Sequence, residues 1–545
     1  IISKSGLIIY RYPIEDIENI KKLNLDLSIR AGSGILRGDI LNVCPNRIVS
    51  FHHGDNQVNR GAPPGFWEVY ERNPRTGFII QRLKDELGVG DVLYKGYVGT
   101  SWLYNINLAR LYEVAYPFFH QVIEEITSEN PKLKVEKKVA NSNCGYTTPN
   151  LFQIINYLLK SFFVLGARVS RKLQGKSHRW CVAYQFSNSW NDVALWRSHK
   201  IANPKYRYLA DPFVIKNNGS HFCFVEDYDY KTLKGRISAY KISSSGYENL
   251  GVVLDENFHL SYPFIFEYEN EFYMCPETHE KKEIRIYKCV DFPNKWEFHK
   301  TLMRDVSAAD TNIFEYDGKW WLFTNIDRSV VEDHCCQLHI FSSDSPLSVE
   351  WLAHEANPVI FDPLIARNAG LIISDNEIYR VFQRQGFANY GESCGVAKII
   401  TLSSTEYREE VCSFIEPKFY ENIKKCSLPI HTSSKSDDKK NITQYNFGLQ
   451  WVQQLSLRDM VVYDINELSE KCMSDYQTLQ QLKSRTIANL VKDFLSSPLY
   501  IQREILTLFL LTDQDSDTQY LAYLMYDMIS QESYLLKPQP LAEEI

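Results

Sequence analysis

The distribution of apolar and polar residues divides the chain into four segments. Residues 1–128 alternate short runs rich in apolar and aromatic residues with amphipathic stretches, which predicts an α/β domain. Residues 129–177 begin polar and lysine-rich and end in an apolar stretch, which predicts a linker followed by a helix. Residues 178–447 consist of short strand-like runs between turn residues, whereas residues 448–545 place apolar side chains at helical spacing. We therefore predict a multidomain chain with an α/β domain, a β domain and an α-helical C-terminal tail.

A short motif repeats along the β segment. Each copy is followed by a turn and an aromatic strand, and the copies lie about 50 residues apart, the length of one four-stranded propeller blade. A fifth blade would combine Trp180–Tyr184 with strands near Gln444–Phe447. The pattern predicts a five-bladed β-propeller. The four copies begin with Ala210-Asp211-Pro212-Phe213, Ser261-Tyr262-Pro263-Phe264, Ala309-Asp310-Thr311-Asn312 and Arg367-Asn368-Ala369-Gly370.

Composition narrows the range of partners. A net charge of −7 argues against a general nucleic-acid binder, which usually carries an excess of positive charge. Aromatic residues make up 13% of the chain, and their flat faces suit sugar binding, although aromatic strands in a large core explain the same excess. The 12 cysteines include no CxxC pair, so we expect no metal site and free thiols in a reducing cytoplasm.

The most apolar stretch, Leu151–Leu165, is shorter than the ~20 residues that a membrane-spanning helix needs. Basic residues follow it, so a helix lying in a membrane interface is one alternative. A linker helix packed on a neighbouring domain is favoured, and a membrane surface is not expected as a partner.

The first 100 residues resemble the formyltransferase family, which includes methionyl-tRNA formyltransferase and the sugar N-formyltransferases. In that family a further strand–helix portion precedes the matching segment, so the resemblance implies a formyltransferase-like α/β domain whose N-terminal part is missing. The resemblance rests on the order and spacing of Asp26–Ile29, Gly34–Leu36, Ile48–His52, Arg60–Pro64, Thr76–Gln81 and Gly90–Tyr94.

The same resemblance implies a catalytic site and a cofactor, 10-formyltetrahydrofolate. His52 falls on the family histidine that relays a proton. Ser50 stands where the family has an asparagine that holds the developing oxyanion, and Gly88 stands where it has the aspartate that orients the histidine. Asp91 is a substitute carboxylate for that aspartate, as are Asp55, Asp85 and Glu86.

The β segment is similar to the N-terminal domain of the glucosamine inositolphosphorylceramide transferase family, and more distantly to five-bladed arabinanases and xylosidases. The nearer resemblance rests on Tyr273–Glu277, Ile286-Tyr287, Trp296, Trp320–Phe323, Asn357–Val359, Ala366–Gly370 and Tyr379-Arg380.

Glycoside hydrolysis needs two carboxylates across the scissile bond. In the hydrolase propellers the base belongs to an Asp-Pro pair in the first blade, which Asp211-Pro212 resembles. The repeat predicts that Glu226, Glu277 and Asp310 lie on inner strands, and that Arg367 and Arg380 add positive charge suited to a phosphate or carboxylate. Aspartates that only bond backbone amides at the blade starts are the structural alternative.

These observations leave three functions open. The first is a formyl-folate-dependent N-formyltransferase of amino sugars, an enzyme whose propeller presents the glycan. The second is a non-catalytic glycan-binding protein with a degenerate formyltransferase domain, and the third is a glycoside hydrolase. The expected partners are an amino sugar, a nucleotide sugar or a glycan, together with a protein partner on the helical tail.

Overall fold

The computed structural model of the chain describes residues 9–32, 34–52, 54, 63–85, 90–129, 148–173, 180–186, 198–329, 331, 333–374, 377–415, 426–427, 430–431, 444–445 and 448–449. The chain divides into one compact unit formed by residues 1–416 and 425–450 and a second formed by residues 417–424 and 451–545. All described residues lie in the first unit. The predicted helical tail lies outside them, except that Gly448–Leu449 form a strand.

The N-terminal segment is an α/β structure. Its helices are α1 (Ile14–Lys21), α2 (Phe66–Glu71), α3 (Tyr104–Thr127) and α4 (Leu151–Leu173), with a short 3₁₀ helix at Asp39–Asn42. Its strands are β1 (Ile9–Tyr10), β2 (Ser28–Arg30), β3 (Ile35–Leu36), β4 (Ile48–His52), β5 (Arg75–Arg82) and β6 (Asp91–Gly99).

A four-stranded sheet in the order β2-β4-β5-β6 forms the centre of this segment. Strands β2 and β4 are parallel, whereas β5 and β6 are added antiparallel. Helix α3 covers the sheet because its apolar residues recur every three or four positions, on one face. The residues that this face buries are Leu111, Val114, Ala115, Phe118, Val122 and Ile126.

The β segment forms four consecutive antiparallel sheets. Two short strands, β7 (Val182–Tyr184) and β8 (His199–Ile201), precede them. The first sheet contains β9 (Arg207–Asn217), β10 (Ser220–Asp229), β11 (Lys234–Ser243) and β12 (Gly246–Leu254); the second contains β13 (Ser261–Tyr268), β14 (Glu271–Glu277), β15 (Glu283–Asp291) and β16 (Lys295–Arg304).

The third and fourth sheets continue the same winding. The third contains β17 (Ala308–Tyr316), β18 (Lys319–Ile326), β19 (Gln337–Ser343), β20 (Leu352–Ala353) and β21 (Ile360–Phe361), and the fourth contains β22 (Arg367–Ser374), β23 (Glu377–Gly386), β24 (Asn389–Leu402) and β25 (Tyr407–Ile415). The first strands of the four sheets contact one another in series, β9 to β13, β13 to β17 and β17 to β22. The predominance of β structure agrees with the sequence prediction.

Four two-residue strands follow the fourth sheet: β26 (Cys426–Ser427), β27 (Ile430–His431), β28 (Gln444–Tyr445) and β29 (Gly448–Leu449). Strand β27 contacts both β22 and β9, and β28 and β29 contact β7. The segments that the sequence assigned to a fifth blade are therefore neighbours, although a complete fifth blade stays a prediction.

The α/β segment packs directly on the third sheet. Phe361 of β21 lies among Phe78, Tyr94 and Phe118, with its ring centroid 4.9 Å from that of Phe118. Gly96 permits this approach, because a Cβ atom there would lie 2.7 Å from the Phe361 ring. Two ion pairs, Arg75–Asp362 and Arg110–Asp333, flank the apolar contact. The two parts therefore share one buried core.

Helix α4 packs on the α/β segment by one face. Tyr157 accepts a hydrogen bond from the Tyr104 backbone amide (3.1 Å), and Lys160 donates one to the Tyr70 carbonyl (3.1 Å). The packing agrees with the expectation of a linker helix on a neighbouring domain. None of the described helices is long and apolar enough to cross a membrane.

The Arg110–Asp333 ion pair gives a test of this interface. Replacing Arg110 with Met leaves the buried Asp333 carboxylate without its cation, which typically costs about 3 kcal/mol or more of unfolding free energy. Urea unfolding measures the change. The matched control is Lys295→Met, which removes an exposed pair with Glu297 and should cost under about 1 kcal/mol. Equal losses in both variants would contradict a structural role for the pair.

Candidate functional site

The repeated motif forms a β-bulge in the first strand of each of the first three sheets. In each, two residues of the first strand oppose one residue of the second, and the first of the two has a positive φ: +44° at Asp211, +46° at Tyr262 and +51° at Asp310. Such a bulge redirects a side chain relative to the regular alternation of a strand. The fourth sheet also has a bulge, between Asn368 and Gly370.

These bulges bring charged side chains from different sheets together around one arginine. Arg367 Nε, on the fourth sheet, lies 2.6 Å from Asp310 Oδ2 on the third. Arg367 Nη2 lies 3.6 Å from Glu277 Oε2 on the second sheet. Asp211 of the first sheet is close enough to interact electrostatically with both Glu277 and Arg367. We call Asp211, Glu226, Glu277, Asp310 and Arg367 the central cluster.

Glu226 joins the central cluster from the second strand of the first sheet. It pairs in register with Ala210, next to Asp211, and is 5% exposed. Tyr208 Oη donates a hydrogen bond to its Oε1 (3.5 Å), and His259 Nε2 lies 3.6 Å from the same atom. The five residues of the central cluster that the sequence predicted are thus brought together in the structure.

Three histidines extend the central cluster on the side of Glu277. His279 Nδ1 lies 2.8 Å from Glu277 Oε1, and its ring lies between those of His259 and His334, with centroids 6.3 and 5.7 Å away. His334 Nε2 shares a hydrogen bond with Ser307 Oγ (2.9 Å). Among the described residues, no three His, Cys, Asp or Glu side chains are placed to hold a metal ion together.

The environment raises the pKa values of some carboxyl groups in the cluster and lowers that of another. Burial raises the pKa of Asp211 to about 6, and the negative charge of Glu277 adds to the shift. Burial, with the charges of Asp211 and Glu277, raises the pKa of Glu226 well above its usual value. Burial also acts to raise the pKa of Glu277, but the hydrogen bond from His279 and the charge of Arg367 outweigh it, so that pKa is lowered. The carboxyl groups of the cluster therefore differ in acidity, with that of Glu277 the most acidic of the three.

An aromatic group borders the carboxylates. Tyr208 and Tyr228 stack with their ring centroids 4.8 Å apart, and Tyr230 meets both rings edge-on. All three tyrosines are partly exposed. On the other side of the cluster, Tyr390 lies under the Arg367 guanidinium at 5.1 Å. The ring faces offer the flat apolar surface that suits one side of a pyranose ring.

Contacts with the α/β segment position two connections of the β segment beside the central cluster, one between β18 and β19 and one between β23 and β24. The β18–β19 loop carries Asp333, which pairs with Arg110, next to His334 and Cys335. In the β23–β24 turn, the Ala388 amide donates to the Thr100 carbonyl (3.1 Å), two residues before Tyr390. The sequence analysis missed the tyrosines and histidines around the cluster: Tyr208, Tyr228, His259, His279, His334 and Tyr390. His279 had a signal, since it closely follows Glu277 at the end of a repeat strand.

Arg380 requires a correction, because the structure places it inside the fourth sheet rather than facing the centre. It lies on β23, fully buried, and its guanidinium forms an ion pair with Glu409 at 2.5 Å. It also donates to the Ile365 carbonyl at 2.7 Å. Its charge is therefore satisfied within the blade.

Asp91, the carboxylate expected to assist His52, does not lie beside it. Ser50 is buried in β4 and donates to the Phe51 carbonyl at 3.5 Å. Asp91 lies two strands from β4, in register with Arg82 and Val49, and pairs with Lys84 at 2.5 Å. Strand spacings place it roughly 10 Å from His52 both across and along the sheet. Asp91 therefore does not supply the carboxylate partner for His52, while Gly88, Asp55 and Glu86 lie outside the described residues.

The β segment is similar in sequence to known proteins. Residues 170–425 match the family model described as "Glucosamine inositolphosphorylceramide transferase 1, N-terminal". The matched region contains the four sheets and the whole central cluster. Two proteins named glucosamine inositolphosphorylceramide transferase 1 are similar in sequence: the protein from rice (Oryza sativa subsp. japonica) is 39% identical over 208 residues and that from Arabidopsis thaliana is 37% identical over 207.

The sequence match covers 37% of this chain and 27% of each of these relatives, so the chain spans about a quarter of their length. Among solved structures, a family 117 glycoside hydrolase from Zobellia galactanivorans aligns over 50% of this chain and 91% of its own, at 12% identity and a TM-score of 0.32. An α-L-arabinanase from Cellvibrio cellulosa aligns over 37% and 77%, at 14% identity and a TM-score of 0.29. The sequence relatives identify the β segment as carbohydrate-related.

The His279–Glu277 contact predicts a pH-dependent contribution to stability. Glu277 raises the pKa of His279 in the folded protein, so this contribution is fully present below about pH 6.5 and is lost as the pH rises through the raised pKa. The unfolding free energies of the wild type and His279→Gln should therefore differ most at low pH and converge at high pH. Denaturant titrations across this range measure the difference.

His120→Gln, at an exposed site on α3, measures the effect of the substitution itself. A difference in unfolding free energy between the wild type and His279→Gln that stays constant with pH would contradict the predicted pairing.

Proposed function

We propose that the centre of the β segment is a carbohydrate-binding site that accepts an amino sugar. The observation that carries the proposal is the central cluster itself, in which Asp310 and Glu277 contact Arg367, Asp211 interacts with it electrostatically, and Glu226 lies beside a stacked tyrosine pair. An aromatic face can cover one side of a sugar ring, while carboxylates accept hydrogen bonds from its hydroxyl groups. This arrangement is typical of a small-molecule site with few, convergent polar groups.

The charge balance favours a cationic sugar over an anionic one. Arg367 is already engaged by Asp310 and Glu277, so its charge is not available to a phosphate or carboxylate ligand. Asp211, with a pKa of about 6, is ionised at neutral pH and lies at the more exposed side of the cluster. An ammonium group on the sugar would meet the negative charge of Asp211 there, which Arg367 offsets only in part. The word glucosamine in the names of the sequence relatives agrees with a cationic amino sugar as the ligand.

The proposal predicts that a free amine increases affinity. Glucosamine and its oligomers should bind about tenfold more tightly than their N-acetylated counterparts, because a charged hydrogen bond to Asp211 is lost on acetylation. Titration calorimetry on the full chain measures both ligands. Asp211→Asn should remove the preference. Equal affinity for both sugars, in the wild type, would contradict the assignment of an amino sugar.

Removal of the tyrosine platform should weaken all sugar ligands alike. Tyr228→Ala takes away one ring of the stacked pair and should raise the dissociation constant about tenfold, whichever amine substituent is present. Tyr316→Ala, at the end of β17, removes a similarly exposed tyrosine outside the site and is the matched control. An unchanged affinity in Tyr228→Ala would place the sugar elsewhere.

The different environments of two carboxyl groups favour acid–base chemistry at a glycosidic bond as a second candidate function. Burial raises the pKa of Glu226 well above its usual value and suits it to the role of general acid, whereas Asp211, with a pKa of about 6, is ionised at neutral pH and fits the role of base. Cleavage would transfer the Glu226 proton to the leaving oxygen while Asp211 takes a proton from the attacking water.

If the chain turns over a glycoside, the rate should fall as the pH drops through about 6, because Asp211 then becomes protonated. The release of sugar from a panel of amino-sugar glycosides, followed as a function of pH, measures this fall in rate. Asp211→Asn should abolish turnover, and a rate that is unaffected by this substitution would rule out the base role. Binding without any release of product would leave the binding function alone.

Formyl transfer from 10-formyltetrahydrofolate is not part of the proposal. Asp91, one of the carboxylates that could orient His52, lies two strands away and pairs with Lys84. The formyltransferase-like origin of the α/β segment stays a prediction from sequence.

A further inference from the structure

Helix α4 presents a continuous apolar surface. Its large apolar side chains stay exposed, with 82% exposure at Phe152 and 70% at Phe162. At 3.6 residues per turn they fall within about half of the helix circumference. Within the described part of the chain, nothing covers this surface. Its residues, which we call the outer face of α4, are Leu151, Phe152, Ile154, Ile155, Leu158, Leu159, Phe162, Phe163, Leu165, Val169 and Leu173.

The opposite face of α4 fixes the orientation of the outer face. Asn156 donates to Tyr70 Oη (3.0 Å), Lys160 lies over the Tyr70 ring, and Arg168 lies over the Trp102 ring at 4.7 Å. These residues and Tyr157 occupy the half of the helix that the outer face leaves free. The helix is therefore docked by its polar side, and its apolar side points away from the α/β segment.

The charge around α4 has one sign. Residues 148–176 contain no Asp or Glu and carry five basic residues, Lys160, Arg168, Arg171, Lys172 and Lys176, in a chain whose net charge is −7. Four of these lie in the last turns of the helix or just after it. A helix with a wide apolar face and basic residues beside it has the composition of an interfacial helix, which lies in the plane of a bilayer surface.

We propose that the outer face of α4 docks the protein on the surface of an anionic lipid bilayer. The apolar side chains would enter the boundary between headgroups and acyl chains, and the basic residues at the C-terminal end of α4 would meet the anionic headgroups. The helix would lie on the membrane and not cross it, since none of the described helices is long and apolar enough to span a bilayer. Almost all of α4 precedes the region matched to the transferase family, and the proposal does not rest on the sugar site.

Charge decides between a bilayer and a second copy of the chain. Residues 148–176 carry five basic and no acidic residues, so a second copy of α4 would offer no carboxylate to pair with them. An anionic bilayer supplies the opposite charge along with the apolar environment. The favoured occupant is therefore the lipid surface.

Vesicle co-sedimentation of the full chain tests the proposal. The protein should bind vesicles of phosphatidylcholine mixed with phosphatidylserine. Its affinity for vesicles of pure phosphatidylcholine should be lower by about tenfold or more. Phe162→Ser/Phe163→Ser should reduce binding to the mixed vesicles about tenfold or more, because two apolar anchors are lost without a change of charge. Arg171→Gln/Lys172→Gln should reduce binding to the mixed vesicles and leave the residual binding to neutral vesicles unchanged.

A matched control separates these effects from misfolding. Leu233→Ser/Leu352→Ser removes two leucines of comparable exposure from the β segment and should leave vesicle binding unchanged. Sugar binding and thermal unfolding of each variant check that the fold is intact. Equal vesicle binding by the wild type and Phe162→Ser/Phe163→Ser would overturn the proposal. A dimer that the same substitution dissociates, in a protein that binds no vesicles, would overturn it in favour of self-association.

Discussion

The guanidinium group of Arg367 connects the sheets of the β segment at their centre. It contacts Asp310 of the third sheet and Glu277 of the second, and its charge reaches Asp211 of the first. Removing such a cation would leave several buried carboxylates in mutual repulsion, so the convergence of the inner strands depends on it. Two fully buried asparagines reinforce the same junction, since Asn325 and Asn368 exchange hydrogen bonds between the third and fourth sheets.

The same arginine gives the site its chemical character. Because His279 and Arg367 lower the pKa of Glu277 while burial raises that of Glu226, neighbouring carboxyl groups differ in acidity. Because Asp310 and Glu277 already pair with Arg367, the surface that remains for a ligand is acidic. The proposed preference for an amine over a phosphate rests on this geometry rather than on the count of charged residues.

The repeat made the inner positions predictable from sequence. Asp211, Tyr262 and Asp310 occupy the same place in their copies, and the structure gives all three the same bulge and a positive φ. Asp211, Asp310, Glu277 and Arg367 could be assigned together for this reason. Arg380 could not be assigned correctly, because strand alternation does not show which of two buried sides faces the centre, and Glu409, 29 residues away, decides it. His334 lies in the β18–β19 loop and Tyr390 at the start of β24, both outside the repeated motif, and contacts of the neighbouring Asp333 and Ala388 with the α/β segment position them.

The central claim is that a sugar occupies the centre of the β segment. A crystal structure of the full chain with the tightest-binding amino sugar of the panel tests it most directly. The account predicts a sugar ring beside Tyr208 and Tyr228, its amine near Asp211, and its hydroxyl groups within hydrogen-bonding distance of the central cluster. A sugar bound at another place on the chain, with the central cluster unchanged from the free protein, would contradict it.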